Sequence, residues 1–255
     1  MSFAVPAASY DRFMGVYSAR LSPKLADLAG VAAGRRVLDV GCGPGALAAE
    51  LVRRLGAGAV TAVDPSDTFV EAARERLPGV TVERARAERL PFPDAAFDAA
   101  LAQLVVHFMA DPVAGLREMA RVTRTGGVVA ACVWDHAGGE GPLAAFWDAG
   151  RVIDPDADDE SGLAGAREGH LRELLETAGL DDVEETALDV GVEYASFEDW
   201  WAPFTLGVGP AGAFTAGLDD ARRAELEELC RSRLPAAPFT ITARAWAARG
   251  VAADR

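Results

Sequence analysis

Asp39 stands two residues before the first glycine of "VLDVGCGPGAL" (37–47), and a second acid, Asp64, closes the next run of β-forming residues, 23 positions after Gly41. Gly41, Gly43 and Gly45 leave main chain with no Cβ between it and a ligand. The amides of such a turn, next to a helix N-terminus, also favour negative groups. Two ligand classes use a strand, a bare turn and a helix in this way. A dinucleotide lays its pyrophosphate over the turn, and Gly41, Gly43 and Ala46 satisfy the Gly-x-Gly-x-x-Gly/Ala pattern of an NAD site. S-adenosylmethionine brings an ammonium and a sulfonium instead. Asp39 complements those cations, whereas it would oppose two phosphates. Asp64 suits both classes, because an acid at the second strand end accepts hydrogen bonds from ribose hydroxyls. The pair of acids therefore implies an adenosine-type ligand.

These residues need a sheet to position them. Short β-rich runs alternate with helical periodicity: "RVLDV" (36–40), "AVTAVD" (59–64), "VTVERA" (80–85), "FDAALAQL" (97–104) and "GVVAACVW" (127–134) read as strands. Helices are expected at about 45–55 and 66–76, the second capped by Ser66. A third follows Asp111 and Pro112 and stops at Gly126-Gly127. Upstream, "SPKLADLAG" reads as a short helix capped by Ser22, preceded by Tyr10, Phe13 and Tyr17 on one helical face. Downstream, "EGHLRELLETAGL" and "DDARRAELEELCRSRL" are helical, and 183–194 and 239–248 read as two late strands. The expected fold is α/β: a doubly wound, mostly parallel seven-stranded sheet with helical insertions. It divides into an N-terminal helical cap (1–33), a ligand-binding core (34–134) and a C-terminal half with lid insertions (135–255).

Composition narrows the class. The 255 residues, half of them hydrophobic, suit one large domain. A formal charge of −14 argues against nucleic acid, which selects a basic face. No apolar run reaches membrane length and no secretory signal opens the chain, so a cytoplasmic protein, monomeric or homodimeric, is expected. Cys42, Cys132 and Cys230 show neither disulfide nor zinc spacing, and no metal is expected.

Four ordered stretches together resemble the class I S-adenosylmethionine-dependent methyltransferases of the ubiquinone/menaquinone and small-molecule group: "VLDVGCGPG", "VTAVDPSDTFVEAAR", "AERLPFPDAAFDAALAQLVVHF" and "EMARVTRTGG". The resemblance implies a Rossmann-like fold with S-adenosylmethionine as cofactor. It sets the turn Gly41, Cys42, Gly43 and Gly45 against the methionine portion, Asp39 near the ammonium, and Asp64 with Pro65 at the ribose. Ala87 and Glu88 would lie beside adenine, and Gln103 near the transferring methyl. The chain departs from the family's usual Gly-Asp-Ala-Glu at Ala85-Arg86-Ala87-Glu88, where Arg86 replaces an acid.

That resemblance implies methyl transfer to a small organic acceptor, O-methylation slightly ahead of C- or N-methylation. Positioning for in-line displacement would supply most of the catalysis. His107, after the fourth strand, and His136, after the fifth, are the candidate bases. Trp134, Trp147, Trp200 and Trp201 are candidate acceptor contacts. Three of the chain's five tryptophans sit in the insertions, which favours an apolar or aromatic acceptor. An NAD-dependent oxidoreductase and a non-catalytic S-adenosylmethionine-binding protein are the alternatives.

Overall fold

The computed structural model describes residues 6–254, so residues 1–5 of the expected cap and Arg255 lie outside it. In chain order the helices are α1 (Ala7–Tyr10), α2 (Val16–Leu28), α3 (Ala46–Leu55), α4 (Asp67–Arg76), α5 (Pro112–Val122), α6 (Ala144–Ile153), α7 (His170–Thr177), α8 (Phe197–Trp201), α9 (Gly209–Gly217) and α10 (Asp220–Arg233). The strands are β1 (Val37–Val40), β2 (Val60–Asp64), β3 (Thr81–Arg84), β4 (Phe97–Gln103), β5 (Thr123–Trp134), β6 (Leu180–Tyr194) and β7 (Phe239–Ala252). They form one seven-stranded sheet in the order β3-β2-β1-β4-β5-β7-β6. β7 runs antiparallel to both β5 and β6, and the other pairings are parallel. The order reverses between β1 and β4, the switch point outside which ligands of doubly wound sheets bind.

Strand alternation sends side chains to both faces of the sheet. Val37, Leu101, Ala130 and Cys132 pack with α2 and α3 on one face. Leu38, Ala100, Val129 and Val133 pack with α5 and α7 on the other. Ser66 caps α4 by accepting from the Phe69 amide, and Asp111 caps α5 by accepting from Ala114.

Two expected boundaries move. The separate helix at Ser22 merges into α2, which continues through Pro23. Tyr17, Leu21 and Leu25 form one buried stripe across the proline, and the Ser22 hydroxyl bonds back to the Ser18 carbonyl at 2.8 Å instead of capping. Tertiary burial outweighs the local stop signal. The helix expected to run to Gly126-Gly127 ends at Val122, where Thr123 turns extended and its hydroxyl bonds the Met119 carbonyl at 2.8 Å. The glycines then lie inside β5, in a stretch where the register with β4 shifts.

The 44 residues between β6 and β7 hold α8, α9 and α10. Their Phe197, Trp200, Trp201 and Phe204 pack with Phe146 of α6. The rings of Phe146 and Phe204 stack at 4.5 Å and 4°. Trp147, beside them, donates its indole N–H to Glu160 at 3.1 Å. Glu160 comes from the acidic, loop-like stretch 154–165. It is nonetheless 4% exposed, with φ +66°, and burial pushes its carboxyl up to about 7.

Candidate functional site

Beyond β1 the chain reverses over the end of β2. The Gly41 and Cys42 amides both donate to the Val63 carbonyl, at 2.8 and 2.9 Å. The Gly43 amide donates to Asp64 Oδ2 at 2.9 Å and the Gly45 amide to the Cys42 carbonyl at 3.0 Å. Pro44 has no N–H to offer. Every amide donor of the turn is thus spent inside the fold, which corrects the expectation that these amides favour an anion.

The glycines divide their work. Gly41 has φ +72°, and a Cβ there would come within 2.5 Å of both Val105 methyls, so the bare backbone admits the segment after β4. Gly43, at φ +53°, faces open space. Gly45 packs on Leu77, the residue that follows α4, and opens α3.

Asp39 is 1% exposed, and neither carboxylate oxygen has a hydrogen-bond partner among the described residues. Burial, and next the charge of Asp64, push its carboxyl up to about 8, with the nearby Ala48 amide opposing them short of hydrogen-bond geometry. Asp64 is also raised by burial, and is held back by the Ser66 and Gly43 amides that donate to it. Two adjacent buried carboxylates form an environment that selects a cation.

A cavity of about 450 Å³ opens beside them, within the ~300–1,000 Å³ usual for small-molecule sites. It is lined by Tyr10, Gly41, Gly43, residues 64–69, 85–88 and 103–105, Phe108 and Met109. Arg76 of α4 ties that N-terminal segment down, pairing with Asp11 and donating to the Pro44 carbonyl. Tyr10 meets Phe69 edge-on at 5.4 Å.

Of the residues singled out from sequence, Gly41, Gly43, Asp64, Pro65, Ala87, Glu88 and Gln103 line this cavity. Asp39, Cys42 and Gly45 are not on its wall; the Cys42 thiol is buried and turns to the Gly43 carbonyl. Gln103 donates Nε2–H to the Ser18 carbonyl at 3.2 Å. A carbonyl only accepts, so the amide orientation is fixed, and its Oε1 is left buried without a partner among the described residues. Leu104 follows at φ +61°, a left-handed conformation that bulky residues avoid. Glu88 Oε1 accepts from the amides of Ala110, at 2.8 Å, and Asp111, at 3.4 Å, and so fastens the turn before α5.

The histidines and tryptophans lie elsewhere. His107 and His136 are 6.1 Å apart between ring centroids, and neither lines the cavity. Burial lowers both, His136 to about 4, so both are neutral and hold a proton weakly. Trp134 is buried edge-on to Tyr17, and Trp147, Trp200 and Trp201 belong to the aromatic cluster of the insertions. Large rings at helical spacing have here filled the core. Tyr10, Leu104, Val105, Phe108 and Met109 reach the wall without having been singled out as site residues. The apolar run directly after Gln103 was the available signal for four of them.

A methyltransferase domain model matches residues 38–131. The ubiquinone/menaquinone biosynthesis C-methyltransferase UbiE of Enterobacter sp. (strain 638) is 31% identical over 187 residues, covering 65% of this chain and 74% of that protein. The chain belongs to the class I S-adenosylmethionine-dependent methyltransferases. UbiE of Bdellovibrio bacteriovorus is 38% identical over 135 residues, but the match spans only 57% of its length and 50% of this chain. Among solved structures, the YcgJ protein from Bacillus subtilis superposes with a TM-score of 0.61 at 20% identity, covering 94% of this chain and 99% of that one. The [4+2]-cyclase SpnF gives 0.57 at 24%, covering 92% and 81%. These two likenesses show the fold, and the second shows that it also carries a cyclase.

S-adenosylmethionine is the cofactor of this family, and the site fits it. The orphaned Asp39 carboxylate awaits a cation, the turn withholds its amides from anions, and Gly43 leaves room for a ligand. Among the described residues no helix is long and apolar enough to cross a membrane.

Proposed function

We propose that this protein transfers a methyl group from S-adenosylmethionine to a small apolar or aromatic organic acceptor. The observation that carries this reading is the buried Asp39 carboxylate, without a hydrogen-bond partner among the described residues, beside Asp64 at the switch point of the sheet. Asp39 holds the ammonium end, Asp64 holds the ribose with the lone pairs its two amides leave free, and residues 85–88 border the base. Gln103 Oε1 serves the methionine end. When bound, the cofactor supplies an electrophilic methyl on a sulfonium. The chain's own task is to orient the partners and exclude water, and well-aligned intramolecular reactions reach effective molarities of roughly 10⁵–10⁸ M.

Phe69, Leu104, Val105, Phe108 and Met109 supply an apolar wall, which supports an apolar or aromatic acceptor. Neither buried histidine stands on that wall as a base. An acceptor that is already nucleophilic, such as an electron-rich ring carbon or a phenolate, is therefore favoured, and the UbiE relatives' name supports carbon. Calorimetric titration with S-adenosylhomocysteine and, separately, NADH tests the cofactor. Formation of S-adenosylhomocysteine across phenols, hydroquinones, amines and β-dicarbonyls tests the reaction. Binding of NADH alone overturns the proposal, and cofactor binding with no turnover on any acceptor favours a non-catalytic protein.

A further inference from the structure

Gly115 is buried inside α5, where alanine would lose less backbone freedom on folding. Conformation does not require a glycine here. Its backbone is ordinary helix, and its amide donates to the Asp111 carbonyl at 3.0 Å. Space does require one. A Cβ at this position would run into the Met109 sulfur, with the Met109 methyl at 3.4 Å and the Ala87 Cβ at 3.3 Å. The absent side chain is the berth of the Met109 thioether.

Met109 and Ala87 line the cavity, and Gly115 stands behind them without lining it. The main chain at Met109 is held. Its amide donates to the Val106 carbonyl at 3.2 Å, and the next two amides donate to Glu88 Oε1 at 2.8 and 3.4 Å. A methionine side chain is unbranched and turns about three bonds, so it gives way where the main chain does not. With α5 behind the thioether and Ala87 beside it, the side left to it is the cavity.

We propose that Gly115 is a positioning residue of this site: by carrying no side chain it keeps the Met109 thioether back against α5, and so sets the room left for the base at the 85–88 end. The inference rests on the cofactor placement proposed above. Calorimetric titration of the full chain with S-adenosylhomocysteine, run as a double-variant cycle, tests it. Gly115→Ala is expected to bind at least fivefold more weakly than the wild type. In a Met109→Ala background no thioether remains to be displaced, and adding Gly115→Ala is expected to change the dissociation constant less than twofold. A loss below fivefold in the single variant overturns the proposal. So does a change of twofold or more in the Met109→Ala background, which would make Gly115 act through the fold and not through Met109. If the wild type binds no S-adenosylhomocysteine, the cofactor placement itself fails, a result separable from the failure of the berth.

Discussion

Asp39→Asn offers the most direct test of the site's electrostatics. In the unliganded protein, burial and the neighbouring Asp64 push the Asp39 carboxyl up to about 8. At pH 7 about nine molecules in ten therefore carry its proton. An ammonium docked beside it favours the ionised form, so binding S-adenosylhomocysteine at pH 7 should expel about 0.9 proton per ligand from this group. Calorimetry in two buffers of different ionisation enthalpy reads that number. Asn has no proton to expel, and its affinity should fall roughly tenfold to a hundredfold, the worth of one charge-assisted hydrogen bond at ~1.5–3 kcal/mol. The free protein gives a second readout. The native state holds this proton more tightly than the unfolded chain does, so Asp39 costs stability as pH rises from about 4 towards 8. At pH 7 the cost is about 4 kcal/mol, roughly three pH steps of 1.36 kcal/mol. Asn escapes it, and its melting temperature relative to wild type should climb by roughly 10 °C between pH 4 and pH 7. Wild-type binding without proton release, or equal release by the Asn variant, refutes the reasoning.

Three other outcomes are expected. Gly41→Ala places a Cβ 2.5 Å from the Val105 methyls at a positive φ, and should lower stability by about 2–3 kcal/mol on denaturant titration. Adding Val105→Ala should recover part of that loss, whereas Gly43→Ala, with open space around it, should cost only about 1 kcal/mol. Asp64→Ala strands the Gly43 and Ser66 amides as well as the ribose, and should weaken S-adenosylhomocysteine binding at least tenfold in the same calorimetry. Glu160, raised to about 7 by burial, costs stability as pH climbs from the ordinary carboxylate range to 7. Glu160→Gln still accepts the Trp147 indole N–H, and its advantage over wild type should grow to roughly 3 kcal/mol by pH 7 in urea titrations.

Local chemistry explains what could be read in advance. The strand cores, the Ser66 and Asp111 caps, and the acids closing β1 and β2 follow from alternation, capping and charge, all encoded within a few residues. Gly43, Asp64 and Gln103 reach the cavity because strand ends dictate where they point. Pro23 misled because the stripe that buries α2 spans it, a constraint imposed by a sheet distant in sequence. The amides of residues 41–45 looked available for an anion, and only the carbonyl of Val63 and the carboxylate of Asp64 on another strand reveal that they are taken. The tryptophans of the insertions fill the core for a related reason. Residue type announces chemistry or bulk equally well, and only the packing of Phe146 and Phe204 against the insertions separates the two. Glu160 hid in an acidic stretch because its partner indole lies on α6.

The Gln103 amide on the cavity wall is steadied by a carbonyl 85 positions upstream, on a helix that precedes the first strand. A fragment trimmed to start at residue 34 would keep the three glycines of the turn and both acids, yet its Gln103 could swivel and its Tyr10 wall would be gone. Grafting this pocket onto another scaffold would therefore mean carrying over two pieces of chain that a linear motif search would never join.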